Sequence, residues 1–335
     1  MDLTWTQRLQ LRLGGWKKFV YPDTPTLPMK PWHPDEDYLV RALPKSRLPN
    51  SDAVIQHLKA TGRLVLGTGT TVPKFDGRIE GYPLNGSLTT DQLLTISKTL
   101  GPNNLAVTTG FESSYGYKVR YRKSMIVQGE PLVGYSDSKL HVFDRTSNPP
   151  TITEVQNFRQ AGSGYACDGV TQYRLDQPST MVRGRSAAKL PLAEHTLRYE
   201  DLIVHGWRQR ASMGVVAGAK GKFIYPALGT DAESTLPDAP AYGTILVLKP
   251  SAISRLAGLG YTRLTNPQAY AVMDCWKVYG LVIVDRGGNN ASNLEPDNRW
   301  NQTDLKILSL ITMDDFEAWT LLDGDLYQSV YAATY

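Results

Sequence analysis

From Arg63 onward, short apolar runs alternate with turns rich in Gly, Asn, Asp and Pro. Runs this short, flanked by turn residues and rich in β-branched and aromatic side chains, fold as strands. The pattern predicts strands near residues 63–67, 105–111, 117–123, 140–144, 152–158, 171–176, 222–227, 244–249, 280–285, 305–311 and 316–322. Helices are expected at 49–61, where Asn50 or Ser51 supplies the N-cap and Gly62 the stop, and at Asp91–Leu100, Tyr199–Arg210 and Pro267–Tyr279. The expected fold is therefore mostly β with a few helices (α+β), a β-sandwich or jelly-roll-like domain preceded by an extended N-terminal arm. Strand–helix alternation is too irregular for a doubly wound sheet, and no repeat of solenoid length recurs.

The chain is long enough to bury one large core, and its 41% hydrophobic and 20% charged content fits a packed domain rather than a disordered one. A net charge of +4 with scattered Lys and Arg does not describe a nucleic-acid binder. The densest basic stretch, YKVRYRK (117–123), alternates basic and apolar side chains, as a strand with one wet, positive face does. No window approaches a membrane span, and the first 19 residues lack the apolar core of a secretion signal.

Residues 1–48 read as a docking arm, and 49–335 as a single β-rich domain. Leu9, Leu13 and Trp16 share a helical face, and five prolines fall between Tyr21 and Asp37. Proline gives up its N–H, so that stretch is extended chain without a ladder. Trp5, Trp16, Phe19 and Trp32 are costly to leave in water and are the expected anchors on a neighbouring protein.

No motif specifies a cofactor or a metal. GTGTTVPKFDG (67–77) departs from phosphate-binding loops, and Pro73 opposes a helix start. The five histidines lack metal-site spacing, and His57 reads as a surface residue of its helix. Cys167 and Cys275 form no CxxC; they either pair, if their Cα atoms lie within about 7 Å, or stay as two buried thiols. The triplets NGS (85–87), NAS (290–292) and NQT (301–303) read as exposed turns. In GLVIVDRGG (280–288), Asp285 closes a core strand; its bland role is to bond the N–H groups of Gly287 and Gly288.

Several segments, in order, resemble a family of β-rich proteins common among secreted actinobacterial and phage proteins. They are PNSDAVIQHL, YSDSKLHVFDR (135–145), LRYEDLIVHGWRQR (197–210), KFIYPALGTDAES (222–234), YGTILVLKPSAI (242–253) and WKVYGLVIVDRGG with PDNRWNQTDLKIL (297–308). The resemblance spans about residues 49–320 and is closest from 134 to 320. It implies Asp137, His205, Lys249 and Asp285 as recurring polar positions. Lys139 stands where the family pattern has a His, with His141 two residues on and on the same strand face.

The arm, the absent secretion signal and the likeness to secreted proteins lead to one expectation. It is a phage virion protein made in the host cytoplasm, tail-associated (minor tail or tail-tip) and part of an oligomeric assembly. Its arm meets other tail proteins, and its β domain meets host cell-surface polysaccharide. The alternative is a carbohydrate-active enzyme, a hydrolase or lyase using Asp137, His141, His205 and Asp285 with Lys249 as charge stabiliser. In a glycosidase, Asp137 and Asp285 would stand roughly 5–10 Å apart. A third expectation is a purely structural tail protein. No cofactor, metal, nucleic acid or membrane span is expected.

Overall fold

The computed structural model describes residues 41–67, 84–98, 117–123, 125, 127–128, 138–161, 164–174, 184–295, 297 and 299–322. Asp137 and the arm positions Trp5, Trp16, Phe19 and Trp32 lie outside the described residues, as does the strand expected at 105–111. In chain order the elements are β1 (Ser46–Arg47), α1 (Ser51–Thr61), β2 (Leu64–Gly67), β3 (Leu84–Gly86), β4 (Gln92–Lys98), β5 (Tyr117–Tyr121), β6 (Leu140–Asp144), β7 (Thr151–Gln156), β8 (Arg159–Ala161), β9 (Gly164–Cys167) and β10 (Gly169–Arg174). There follow β11 (Ala211–Val215), β12 (Ile245–Leu248), α2 (Pro250–Gly258), α3 (Pro267–Val278), β13 (Leu281–Arg286), β14 (Asn290–Asn293) and β15 (Phe316–Thr320). The molecule is mostly β with a few helices, an α+β fold.

A seven-stranded mixed sheet, β1-β15-β12-β13-β11-β14-β2, holds the main core. Leu281, Val282, Ile283 and Val284 of β13 are all buried, as a central strand covered on both faces requires. Helix α3 packs Trp276 beside Phe316 of β15, ring centres 6.2 Å apart. Burying a side chain of that size contributes on the order of 2–3 kcal/mol. Helix α1 is tied to β15 by the Ala318 N–H, which donates to Ser51 Oγ at 2.8 Å. Asn50 occupies the cap position without a side-chain bond. Two four-stranded sheets, β10-β7-β6-β3 and β5-β4-β9-β8, complete the described architecture. In β5, Val119 and Tyr121 are buried while Lys118 is exposed, the expected one wet face.

Several local expectations are corrected. Residues 92–98 form strand β4, not a helix. Asp91 spends its carboxylate on the Leu88 N–H and on Arg122, and β5 offers an antiparallel partner in register Leu94↔Val119. Residues 305–311 turn helically rather than extending, because the Asn301 side chain caps the N–H groups of Thr303 and Asp304 and starts a turn there. Residues 222–227 are irregular, joined to the fold by an isolated bridge at Phe223↔Tyr242 and backbone bonds on either side. Only Glu200–Val204 of the helix expected at 199–210 is helical, as one π-turn. His57 is buried, with Nε2 3.1 Å from the Ala217 carbonyl. Asn85 and Asn290 are buried too; the Asn290 amide donates to the Leu58 and Gly62 carbonyls. Cys167 and Cys275 are free, buried thiols, pushed by burial up to about 11 and about 12.

The β7 sheet is joined to the main sheet through residues 184–198. Glu154, fully buried on β7, accepts from Tyr173 Oη at 3.1 Å, the Arg185 N–H at 3.0 Å and the Ala193 N–H at 2.8 Å. Ala188 N–H then donates to the Val284 carbonyl of β13. Burial raises the Glu154 carboxyl against the pull of those donors and of Lys139. Glu154→Ala strands three buried donors, so a stability loss of about 3–5 kcal/mol is expected by denaturant titration. A loss under about 1 kcal/mol would show that the seam holds without it.

Helix α3 ends at Gly280, where φ is +79° and the N–H donates to the Cys275 carbonyl. A Cβ there would meet Ile245 Cγ2 at 2.4 Å and the Leu246 carbonyl at 2.9 Å. Gly280→Ala is therefore expected to cost on the order of 2 kcal/mol or more. Thermal melting checks it, with Gly260→Ala as the comparison: φ is +88° there too, but the space is open.

Candidate functional site

The described candidate residues fall into three separate networks. The first surrounds β6. His141 stands opposite Glu154 in the β6–β7 register, so both project from the same side of that pair. It is 1% exposed, and burial, then the Lys139 charge, lower it to about 3. It is thus a neutral interior imidazole. Lys139 is buried, with Nζ 4.0 Å from Asp285 Oδ2. The Asp285 Oδ1 accepts from the Arg286 N–H at 2.8 Å. The Gly287 N–H goes instead to the Val215 carbonyl, so Asp285 does not close the glycine turn by bonding Gly287 as expected. Asp285 is the acid of a half-buried ion pair that links β13 to the segment entering β6.

The second network joins the π-turn to the Glu295–Trp300 segment. Arg198, 1% exposed, meets Asp201 Oδ2 at 2.9 Å and Glu295 Oε2 at 3.3 Å. Glu295 Oε1 also accepts from the Leu84 N–H at 3.3 Å, which brings in β3. Arg299 bridges Glu200 and Asp297, each at 2.7 Å, and lies 4.5 Å over the Tyr199 ring. Tyr199 meets Trp300 edge-on, and Trp300 Nε1 donates to the Glu295 carbonyl at 2.9 Å. His205 sits at the end of the π-turn, Nε2 3.4 Å from Glu200 Oε1.

Lys249 belongs to a third place. It precedes α2, and its Nζ donates to the Asp314 carbonyl at 2.9 Å. Leu246 pairs with Leu281, which puts Lys249 beyond the start of β13, whereas Asp285 is near its end. At about 3.3 Å per residue that separates them by roughly 20 Å. His205 also lies toward the Leu281 end, six residues before Ala211, which pairs with Leu281. The fold does not bring His205, Lys249 and Asp285 to one cleft. Among the described residues no group of three or more His, Cys, Asp or Glu is placed to hold a metal, and no helix is long and apolar enough to cross a membrane.

A concave site lies elsewhere, at one end of the main sheet. It encloses about 590 Å³ and is lined by Arg41, Ala42, Leu43, Lys45, Tyr225, Tyr279 and Leu321. That volume is ordinary for a small-ligand site. The Lys45 N–H donates to the Thr320 carbonyl, fixing residues 41–45 along β15. The Arg41 guanidinium carbon is 4.3 Å from the Trp207 ring centre and 5.8 Å from that of Tyr279, and Nη2 donates to Tyr279 Oη at 3.2 Å. Behind them Arg210 is fully buried. It donates to the Tyr279 carbonyl at 2.8 Å and to the Ala42 carbonyl, and burial lowers it to about 9. Tyr225 is half-exposed; burial raises its hydroxyl and the Arg210 charge counters that.

The sequence reading named none of these pocket residues as a site. Tyr225 and Tyr279 sit inside segments singled out for their Tyr-Pro-Ala and Tyr-Gly patterns, which was the one available signal. Arg41 and Lys45 fall within residues 1–48, the stretch whose sequence reads as an arm. No family model, curated protein or solved structure matches the chain.

Burial, opposed by Arg198, pushes the Glu295 carboxyl from 4.5 up to about 7. A raised folded value means its contribution is fully present below pH 4.5 and is lost as pH rises through about 7. Glu295→Gln removes that titration while Arg198 keeps Asp201. Denaturant titrations at pH 4.5 and 8 should show the variant gaining on the parent as pH rises. An unchanged difference would mean that Glu295 titrates near its ordinary value in the fold.

Proposed function

We propose that this chain is a tail-associated virion protein of a bacteriophage whose β-rich domain binds host-surface glycan in the pocket between Tyr225 and Tyr279. The observation that carries the reading is the lining of that pocket. Two tyrosines and two cations border an open hollow of about 590 Å³. Tyrosine offers an apolar ring face with a polar tip, which suits the mixed surface of a sugar. The pocket starts at Arg41, where the proline-rich, tryptophan-bearing arm sequence joins the domain. In this reading residues 1–40 anchor the protein among other tail proteins, and the pocket sits at the anchor's root. The separation of Lys249 and His205 from Asp285, and the burial of His141, support binding rather than hydrolysis or elimination.

Cosedimentation of the full chain with purified cell-envelope polysaccharide from the host tests the glycan role. Tyr225→Ala and Tyr279→Ala are each expected to weaken binding at least tenfold with the melting temperature little changed for Tyr225→Ala, whose ring is half-exposed. Equal binding by parent and Tyr225→Ala would remove the pocket from the reading. Mass spectrometry of purified particles tests the virion role: the chain should be present, and a form lacking residues 1–40 should fold but fail to incorporate.

A further inference from the structure

Lys139 and Asp285 face each other across the seam between the β7 sheet and the main sheet. We propose that the two side chains join covalently after folding: the Lys139 ε-amine and the Asp285 carboxyl condense to an isopeptide bond that ties the segment entering β6 to the end of β13. The first support is distance. The Lys139 side chain is 4% exposed, and its Nζ stands 4.0 Å from Asp285 Oδ2. The carbon to be attacked is one bond from that oxygen, so a small side-chain rotation suffices to reach the roughly 3–3.5 Å from which bonds form.

The second support is that both groups are held from behind. The Gln128 N–H donates to the Lys139 carbonyl at 2.9 Å, and the Phe158 N–H to the Ser138 carbonyl at 2.8 Å. Asp285 lies in register with Gly214 of β11, its neighbour Val284 accepts from the Ala188 N–H, and its own Oδ1 accepts from the Arg286 N–H. Groups fixed in this way react as though at very high concentration. The third support is the surroundings. His141 and Glu154 share the β6–β7 face with Lys139, which lies two residues before His141. Both sense the Lys139 charge, and burial pushes both toward their uncharged forms. An ion pair in so dry a place has lost hydration that attraction across 4.0 Å repays poorly.

The reaction balances without a co-reactant. One proton passes from the ammonium to the carboxylate, leaving an amine and a carboxylic acid. The amine lone pair forms the C–N bond at Asp285 Cγ, the C–OH bond breaks, and the hydroxyl leaves with a nitrogen proton as water. Nothing is oxidised or reduced. The Asp285 side chain is 27% exposed, which gives that water an exit.

Mass spectrometry of the full chain decides this. The intact mass should fall about 18 Da below that of the sequence, the loss of one water. Trypsin should release one branched peptide joining residues 124–145 to 278–286, because an acylated Lys139 is no longer cleaved. Lys139→Arg and Asp285→Ala should each restore the full mass, and Lys139→Arg does so with the positive charge kept. Separate linear peptides ending at Lys139 and Arg286 in the parent digest overturn the proposal, whether or not the variants fold. A water deficit that persists in Lys139→Arg also overturns it, by placing the loss in another bond.

Discussion

The join between the β7 sheet and the main sheet depends on a carboxylate placed where no water reaches it. Glu154 gathers a tyrosine hydroxyl and two backbone N–H groups from the connection that runs between the sheets. An isolated buried charge is prohibitive, and an apolar residue there would leave those three donors unmet. The site is therefore tolerable only as a complete set, which fixes the path of residues 185–193. That path delivers Ala188 to β13 and Arg198 to its two acids. Lys139 completes the seam by facing Asp285 from the other sheet.

Much of the β architecture was legible because it is local. The runs giving β5, β6, β7, β12, β13 and β15 carry their own period and their own turn residues. Expectation and structure part where a side chain makes a choice that spacing does not encode. Asp91 looks like the opening of a helix, but its carboxylate serves a turn and Arg122 instead. KILSLI has the apolar density of a strand, yet the Asn301 cap upstream starts a helical turn.

The polar networks were legible only in fragments. Arg198 and Glu295 are far apart in the chain, and so are Lys139 and Asp285; neither pair leaves a local trace. Asp285, His205 and Lys249 stand far apart in the chain, and the fold puts Lys249 and His205 toward the Leu281 end of the main sheet and Asp285 toward the other. Tyr225 and Tyr279 illustrate the reverse case. Each lay in a noted segment, but their convergence on Arg41 comes from the antiparallel placement of β12 between β13 and β15 and from the irregular path of residues 222–227.

Arg41, Ala42, Leu43 and Lys45 line the hollow, and their segment is fastened to the main sheet. Arg210 grips the Ala42 carbonyl, and Lys45 is hydrogen-bonded to the end of β15. If the hollow takes a ligand as proposed, a molecule seated there would stiffen residues 41–45, and any displacement of that segment against β15 would deform the seat. Occupancy and displacement would then be coupled by one and the same free energy.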